Sequence, residues 1–185
     1  MSQTVEMHII ARIRSDFPTK FGIPRQSGLA DVPARIVFEP EYRNADALRG
    51  IEGFSHLWLI WQFSAAVRDG WSPTVRPPKL GGNKRIGVFA TRSPFRPNEI
   101  GLSVLHISGA DLMDGTPIFD IKPYLAYTDS HPEARGGFAL TTDAVRVECP
   151  AALLGKLPEE RRQTLLNVLA QDPRPGYQHE PGRVY

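Results

Sequence analysis

The sequence has a single cysteine, Cys149, which rules out an internal disulfide and a cysteine-based metal cluster. Its longest apolar run, LWLIWQF over 57–63, is too short to span a bilayer. The opening MSQTVEMHIIARIR has no long apolar stretch behind a basic start, so it does not read as a secretory leader. The histidines, His8, His56, His106, His131 and His179, never fall at metal-ligand spacing. There is no G-x-G-x-x-G, so a Rossmann-type cofactor fold is unsupported, and GGNK at 81–84 lacks the spacing and the Ser/Thr of a P-loop. No G-x-S-x-G marks a nucleophilic serine. No metal and no membrane are expected, and a reducing, cytoplasmic setting fits best.

The most informative absence is local. Between Asp69 and Glu99 there is no acidic residue, while Arg76, Lys79, Lys84, Arg85, Arg92 and Arg96 all fall there, interleaved with Trp71, Phe89 and Phe95. The run 111–133 reverses the balance, with Asp111, Asp114, Asp120, Asp129 and Glu133 against Lys122. Net charge is only +2, so it is this distribution that suggests two partners of opposite charge.

What is abundant is proline, at 17 of 185 residues roughly twice its usual share of about 5%, which favours strands and loops over long helices. The length suits one domain with a sizeable core and perhaps a small appendage. Strands are expected at 7–13, 34–38, 54–63, 100–104, 116–121 and 144–148, with the almost continuously apolar 54–63 buried on both faces. His56, inside that run, reads as a core histidine rather than a ligand. Asn44 can cap a short helix over 45–48, stopped near Gly50. The glycine- and proline-rich stretch 70–84 can hardly be regular, and its cations suit phosphate contacts as well as they suit a solvated loop. Asp120 and Lys122 flank Ile121 on one strand face and should pair. Pro158, Glu159 and Glu160 open a helix with the apolar stripe Leu165, Leu166, Val168 and Leu169. Asp172 and Pro173 end it.

At 87–103, GVFATRSPFRPNEIGLS, two strand-like runs flank a loop stiffened by Pro94 and Pro97. The loop holds Arg92 and Arg96 around Phe95. Composition leaves open whether this is a solvated surface loop or a grip for carboxylate or phosphate, for which arginine is the usual choice. Likewise Asp111 and Asp114 lie close together, but turn-stabilising aspartates are the commoner explanation for such a pair.

Together with FSHLW (54–58), PTVRPP (73–78), DGTPIFDIKPY (114–124) and an echo at AQDPRP (170–175), this stretch resembles the TrmO, or TsaA-like, family of S-adenosylmethionine-dependent tRNA methyltransferases. The resemblance runs from about residue 13 to residue 124. It implies a mainly antiparallel β-barrel over 1–138, with a small α+β C-terminal segment over 139–185 that is expected to be a truncated second domain and to contact tRNA. Strand count and polar turns support β dominance independently; barrel closure comes from the resemblance.

The implied reaction is methyl transfer to N6 of threonylcarbamoyladenosine at tRNA position 37, beside the anticodon, in a homodimer. Cofactor contacts map onto Pro24, Arg25, Gln26, Phe63, Ser64, Arg92, Leu102 and the turn Asp111, Leu112, Met113, Asp114 and Gly115. RNA contacts would come from Arg76, Lys79, Lys84, Arg85, Phe95 and Arg96, with an extruded base stacking on Phe95 or Trp71. Asn98 and Asp114 are the candidates for removing the N6 proton, although an acyl-substituted nitrogen is already acidified and need not have a dedicated base. Two departures stand out. Ser64 occupies a position where the family usually carries histidine, and 104–109 leads into Asp111 without the family's extra hairpin. Rival readings are a non-catalytic SAM- or RNA-binding barrel and a methyltransferase acting on a small molecule.

Overall fold

In Ala11–Arg14, small or branched apolar residues alternate with arginines, and in the computed structural model this segment forms strand β1 with Ala11 and Ile13 fully buried. The structure describes residues 3–20, 22–24, 32–107, 112–138 and 144–172. The other strands are β2 (Arg35–Phe38), β3 (His56–Gln62), β4 (Thr74–Val75), β5 (Ile86–Gly87), β6 (Ile100–His106) and β7 (Pro117–Pro123). Helices are α1 (Ala126–Asp129), α2 (Ala151–Leu154) and α3 (Glu159–Ala170). The chain divides into two compact units, Gln62–Gly101 lying in one and the flanking segments on either side of it in the other.

The flanking segments carry a five-stranded sheet of order β2-β1-β7-β3-β6, whose pairings β1–β2, β1–β7 and β3–β7 are antiparallel. Its core is Ala11, Ile13, Leu59, Leu105, Leu112 and Ile118. Residues from both ends of the strand order, Ala34 and Ile36 at one and Leu105 and Ile107 at the other, line the same small cavity with Ile13 and Leu59. The sheet therefore curls around its core, although among the described residues no pairing joins β2 to β6. A register shift between Ile60 and Trp61 interrupts the β3–β7 ladder. Such an irregularity re-aims nearby side chains, and beside it the Trp61 indole donates to Ser103 Oγ at 3.2 Å.

Several expectations need correction. Strand β1 starts at Ala11 rather than Met7, although Ile10 N still donates to Ile118 O at 2.9 Å. β3 is buried on one face only: Leu57 and Leu59 point inward, while Trp58 and Ile60 are half-buried. Antiparallel sheets commonly leave one face wet, and the Trp58 indole uses that face to reach Asp129. His56 is partly exposed rather than a core residue, with its ring 5.1 Å from that of His106 and edge-on to it. The segment 144–148 is not a strand; it runs irregularly, with Val145 N donating to Ala170 O at 2.9 Å. Its alternation reflects an exposed Arg146–Glu148 pair at 3.2 Å.

Other expectations hold. Asn44 Oδ1 accepts from Asp46 N at 3.0 Å and caps Ala45–Leu48, which winds as a 3-10 turn, and Gly50 follows at φ 88°. Asp120 and Lys122 pair at 2.6 Å. Helix α3 begins after Pro158, its first-turn glutamates complementing the helix dipole. Arg161 ties it to Asp16 at 3.1 Å. Among the described residues no helix is long and apolar enough to cross a membrane.

In Gln62–Gly101, β4 and β5 form a two-stranded ribbon in the register Thr74 to Gly87 and Val75 to Ile86. The stretch 70–84 is thus more ordered than expected, containing β4 and a 3-10 turn over Pro78–Leu80. The run 86–90 is strand only over its first two residues, after which Val88–Ala90 turns.

Candidate active site

The expected site residues fall in both units, and each set is built by its own unit. In Gln62–Gly101 the loop 91–98 is held by its own polar groups. Thr91 Oγ1 donates to Val88 O at 2.8 Å and accepts from Ser93 N at 3.2 Å; Ser93 Oγ accepts from Phe95 N at 3.3 Å. Arg96 Nη1 donates to Thr91 O at 3.2 Å and Ser93 O at 3.3 Å, closing the loop around its guanidinium. Arg92 projects from this frame as an exposed side chain. Hydroxyl turns and prolines together make a stiff mount for a cation.

Phe95 is half-buried, and the guanidinium carbon of Arg68 lies 3.7 Å from its ring centroid, covering one face. Nothing in the sequence points to Arg68 beforehand, since a cation–π pair across 27 positions has no local pattern. The backbone of this unit also joins two candidate pairs that are far apart in sequence. Phe63 N donates to Glu99 O at 2.8 Å, which brings Phe63–Ser64 alongside Asn98–Glu99. Ser64 opens a 3-10 turn over Ser64–Ala66 and is exposed, as is Asn98. Arg76, Lys84 and Arg85 are exposed on and around the β4–β5 ribbon, and Arg85 Nη1 donates to Thr74 Oγ1 at 2.7 Å. Lys79 lies in the Pro78–Leu80 turn.

The acidic turn in the sheet-bearing unit is anchored to the end of β1. Asp114 N donates to Phe17 O at 2.8 Å and Gly115 N to Ile13 O at 2.9 Å. Ser15 Oγ donates to Leu112 O at 2.7 Å. The Asp114 carboxylate accepts from Ser15 N at 3.1 Å and from Arg14 Nη1 at 3.4 Å. Leu112 is buried as the apolar foot of the turn, Met113 is half-buried, and Gly115 sits at φ 78°, where a side chain would be strained. Pro24 is buried, whereas Leu102 projects outward from β6 with 54% exposure between the buried Gly101 and Ser103. Arg25, Gln26 and Asp111 lie outside the described residues.

Asp129 is a charged feature that sequence reading assigned no role. Its Oδ2 accepts from Trp58 Nε1 at 2.7 Å and from Leu125 N at 3.0 Å. The Leu125 N–H bond and then the Trp58 indole hold its carboxyl below the ordinary carboxylate value. Among the described residues no group of three His, Cys, Asp or Glu is placed to hold a metal ion.

A mainly antiparallel sheet, an anchored acidic turn and a proline-stiffened arginine loop together define the class. The chain belongs to the family described as tRNA-methyltransferase O N-terminal domain, which it matches over residues 12–130. Among its relatives, the Escherichia coli (strain K12) tRNA (adenine(37)-N6)-methyltransferase is 42% identical over 201 residues, covering 95% of this chain and 86% of the relative. The protein of the same name from Eikenella corrodens is 47% identical over 148 residues, covering 71% of this chain and 84% of the relative. A crystal structure of TrmO from P. aeruginosa superposes with a TM-score of 0.76 at 36% identity, covering 99% of this chain and 85% of that one.

Proposed function

We propose that this chain transfers a methyl group from S-adenosylmethionine to N6 of adenine 37 in tRNA, and that its substrate is the base already carrying threonylcarbamoyl, so that the product is N6-methyl-N6-threonylcarbamoyladenosine. The observation that carries this reading is the 42% identity to the E. coli tRNA (adenine(37)-N6)-methyltransferase across 95% of the chain. We take closure of the sheet into a barrel, a homodimeric state, and a boundary near 138 between a cofactor-binding domain and a C-terminal tRNA-contacting segment as parts of the same reading.

The residues present fit the cofactor chemically. Arg92 offers a fixed cation to a carboxylate. The Asp114 turn offers a carboxylate of the charge a sulfonium favours, and Leu102 in one unit and Phe63 in the other are each apolar side chains of the kind a purine packs on. When bound, S-adenosylmethionine supplies an electrophilic methyl group on sulfur. The chain's part is to hold the acceptor nitrogen in line and exclude water, so that positioning contributes much of the rate. Loop 91–98 is suited to that task because its polar groups are tied to its own backbone. Arg76, Lys79, Lys84, Arg85 and Arg96 provide cations for the RNA, and Phe95 keeps one ring face for a base. Of the two expected side chains, the Asp114 carboxylate is the candidate acceptor for the N6 proton, whereas the Asn98 amide can only accept a hydrogen bond from that N–H. The carbamoyl-acidified nitrogen can also release its proton to water.

The test is transfer of labelled methyl from S-adenosylmethionine into two tRNA pools, one bearing threonylcarbamoyladenosine and one unmodified. Incorporation confined to the modified pool is the expected result. Equal incorporation into both would overturn the finer substrate. No incorporation together with no cofactor-dependent thermal stabilisation would overturn the activity itself.

A further inference from the structure

Trp71 and Phe89 are large apolar rings that the fold leaves in solvent, with 52% and 72% of their surfaces exposed. They sit at the same end of the antiparallel β4–β5 ribbon, Trp71 just before β4 and Phe89 just after β5, their centroids 6.0 Å apart and their planes inclined by 34°. Two constraints hold them there. Val88 N donates to Pro73 O at 2.9 Å, pinning the residue before Phe89 to the chain just after Trp71. Val88 itself is buried, so the 3-10 turn over Val88–Ala90 anchors one side chain inward and presents the next, Phe89, outward. Arg85, bonded to Thr74 Oγ1 at 2.7 Å, bridges the ribbon beside them. An exposed pair of rings on a tied scaffold marks a place where something docks.

The charge around the pair decides what that is. No acidic residue occurs between Asp69 and Glu99, and Arg76, Lys84 and Arg85 are exposed on the same ribbon. Cations without acids, interleaved with exposed aromatics, match single-stranded nucleic acid, whose phosphates need the charges and whose bases stack on the rings. Phe95 is less free for this, because Arg68 already covers one of its faces.

We infer that Trp71 and Phe89 form a stacking step for an unpaired nucleobase of the RNA substrate other than the base that is methylated. This rests on the proposed tRNA substrate and extends it. The methylated base must present its N6 edge to the reacting centre; a flanking base has only to be held, which a sequence-tolerant aromatic step does well. The step thus fixes the register of the loop strand and leaves the chemistry to other residues.

The test uses the full chain and an anticodon stem-loop RNA carrying 2-aminopurine, in separate molecules, at each loop position flanking the target adenine. With wild-type protein, fluorescence at one flanking position or more is quenched as the base stacks. Phe89→Leu keeps apolar bulk but removes the ring face; with Trp71→Leu it is expected to abolish that quenching and raise KM for tRNA about tenfold or more, with kcat little changed. Phe89→Tyr restores both. Because Phe89 is exposed, these variants should fold, and an unchanged melting midpoint verifies it. If wild-type protein methylates tRNA while both leucine variants retain quenching and KM, the stacking step is overturned. If the leucine variants lose affinity only by changing the oligomeric state, the rings face a second copy of the chain, and the inference is again overturned. If wild-type protein itself neither binds nor methylates the RNA, the proposed function falls first, and the two failures are thereby distinguished.

Discussion

The indole Nε1 of Trp58 donates to Oδ2 of Asp129 across 2.7 Å, linking the wet face of β3 to the one-turn helix α1 that follows β7. The same oxygen accepts from Leu125 N at 3.0 Å, so one carboxylate satisfies both an indole and a helix-start N–H.

A pH dependence follows from that tie. The Leu125 N–H, then the Trp58 indole, lower the Asp129 pKa from its ordinary 3.8. A group whose folded-state pKa is depressed stabilises the fold above its unfolded pKa, and the contribution is lost as pH falls through the folded value. Asp129→Asn should therefore have a lower urea midpoint than wild type at pH 7. The gap should narrow as pH drops below 3.8. A gap that stays constant from neutral to strongly acidic pH would show that the ionised carboxylate is not what the tie depends on.

Arg92 and Arg96 should separate cleanly. Arg96 Nη1 is bonded to Thr91 O and Ser93 O, so Arg96→Ala removes the internal brace of the loop. It should lower stability by about 1 kcal/mol and speed proteolytic cleavage within 91–98. Arg92→Ala should still fold and should reduce methyl transfer by about tenfold or more, the scale of a lost charge-assisted contact. Limited proteolysis and steady-state kinetics on both variants check the pair. Intact transfer in Arg92→Ala would remove Arg92 from the site.

Much of this architecture was legible in the residues, for identifiable reasons. Pro158 followed by Glu159 and Glu160 is a helix start whatever the tertiary context, and α3 begins there. Asn44 ahead of Ala45 likewise names its own cap. The error at β3 came from treating Trp58 as purely apolar. Its indole N–H needs a partner, and meeting Asp129 keeps that face half-open. Segment 144–148 alternates as a strand would, but the pattern belongs to an exposed ion pair. In the site, the loop 91–98 and the turn before Thr116 carry recognisable motifs. The self-bonding of Arg96, the cover of Arg68 over Phe95 and the outward Phe89 arise from tertiary placement, which a hydropathy pattern does not encode.

The exposed cations of the β4–β5 ribbon should be read by salt. If Arg76 and Lys84 meet phosphates, Arg76→Ala and Lys84→Ala should each weaken tRNA binding to a similar degree for different tRNA sequences. Each should also reduce the slope of log K against log salt by about 1. Filter binding across a salt series measures both quantities. An unchanged slope in both variants would place the RNA elsewhere on the protein.

Asp114 tests whether the acidic turn anchors or catalyses. Its carboxylate accepts from Ser15 N and Arg14 Nη1, which ties the turn to the end of β1. Asn in its place still accepts the Ser15 N–H but carries no charge. If the turn faces the cofactor's cationic sulfur as proposed, Asp114→Asn should keep the fold and kcat while raising KM for S-adenosylmethionine, because the negative group is lost. Asp114→Ala loses the acceptor as well and should cost about 1–2 kcal/mol of stability. A general base would behave differently: Asp114→Asn would lose a factor of about 100 or more in kcat, and the acidic limb of its pH–rate profile would disappear. That second outcome would make Asp114 the proton acceptor and overturn the anchoring role.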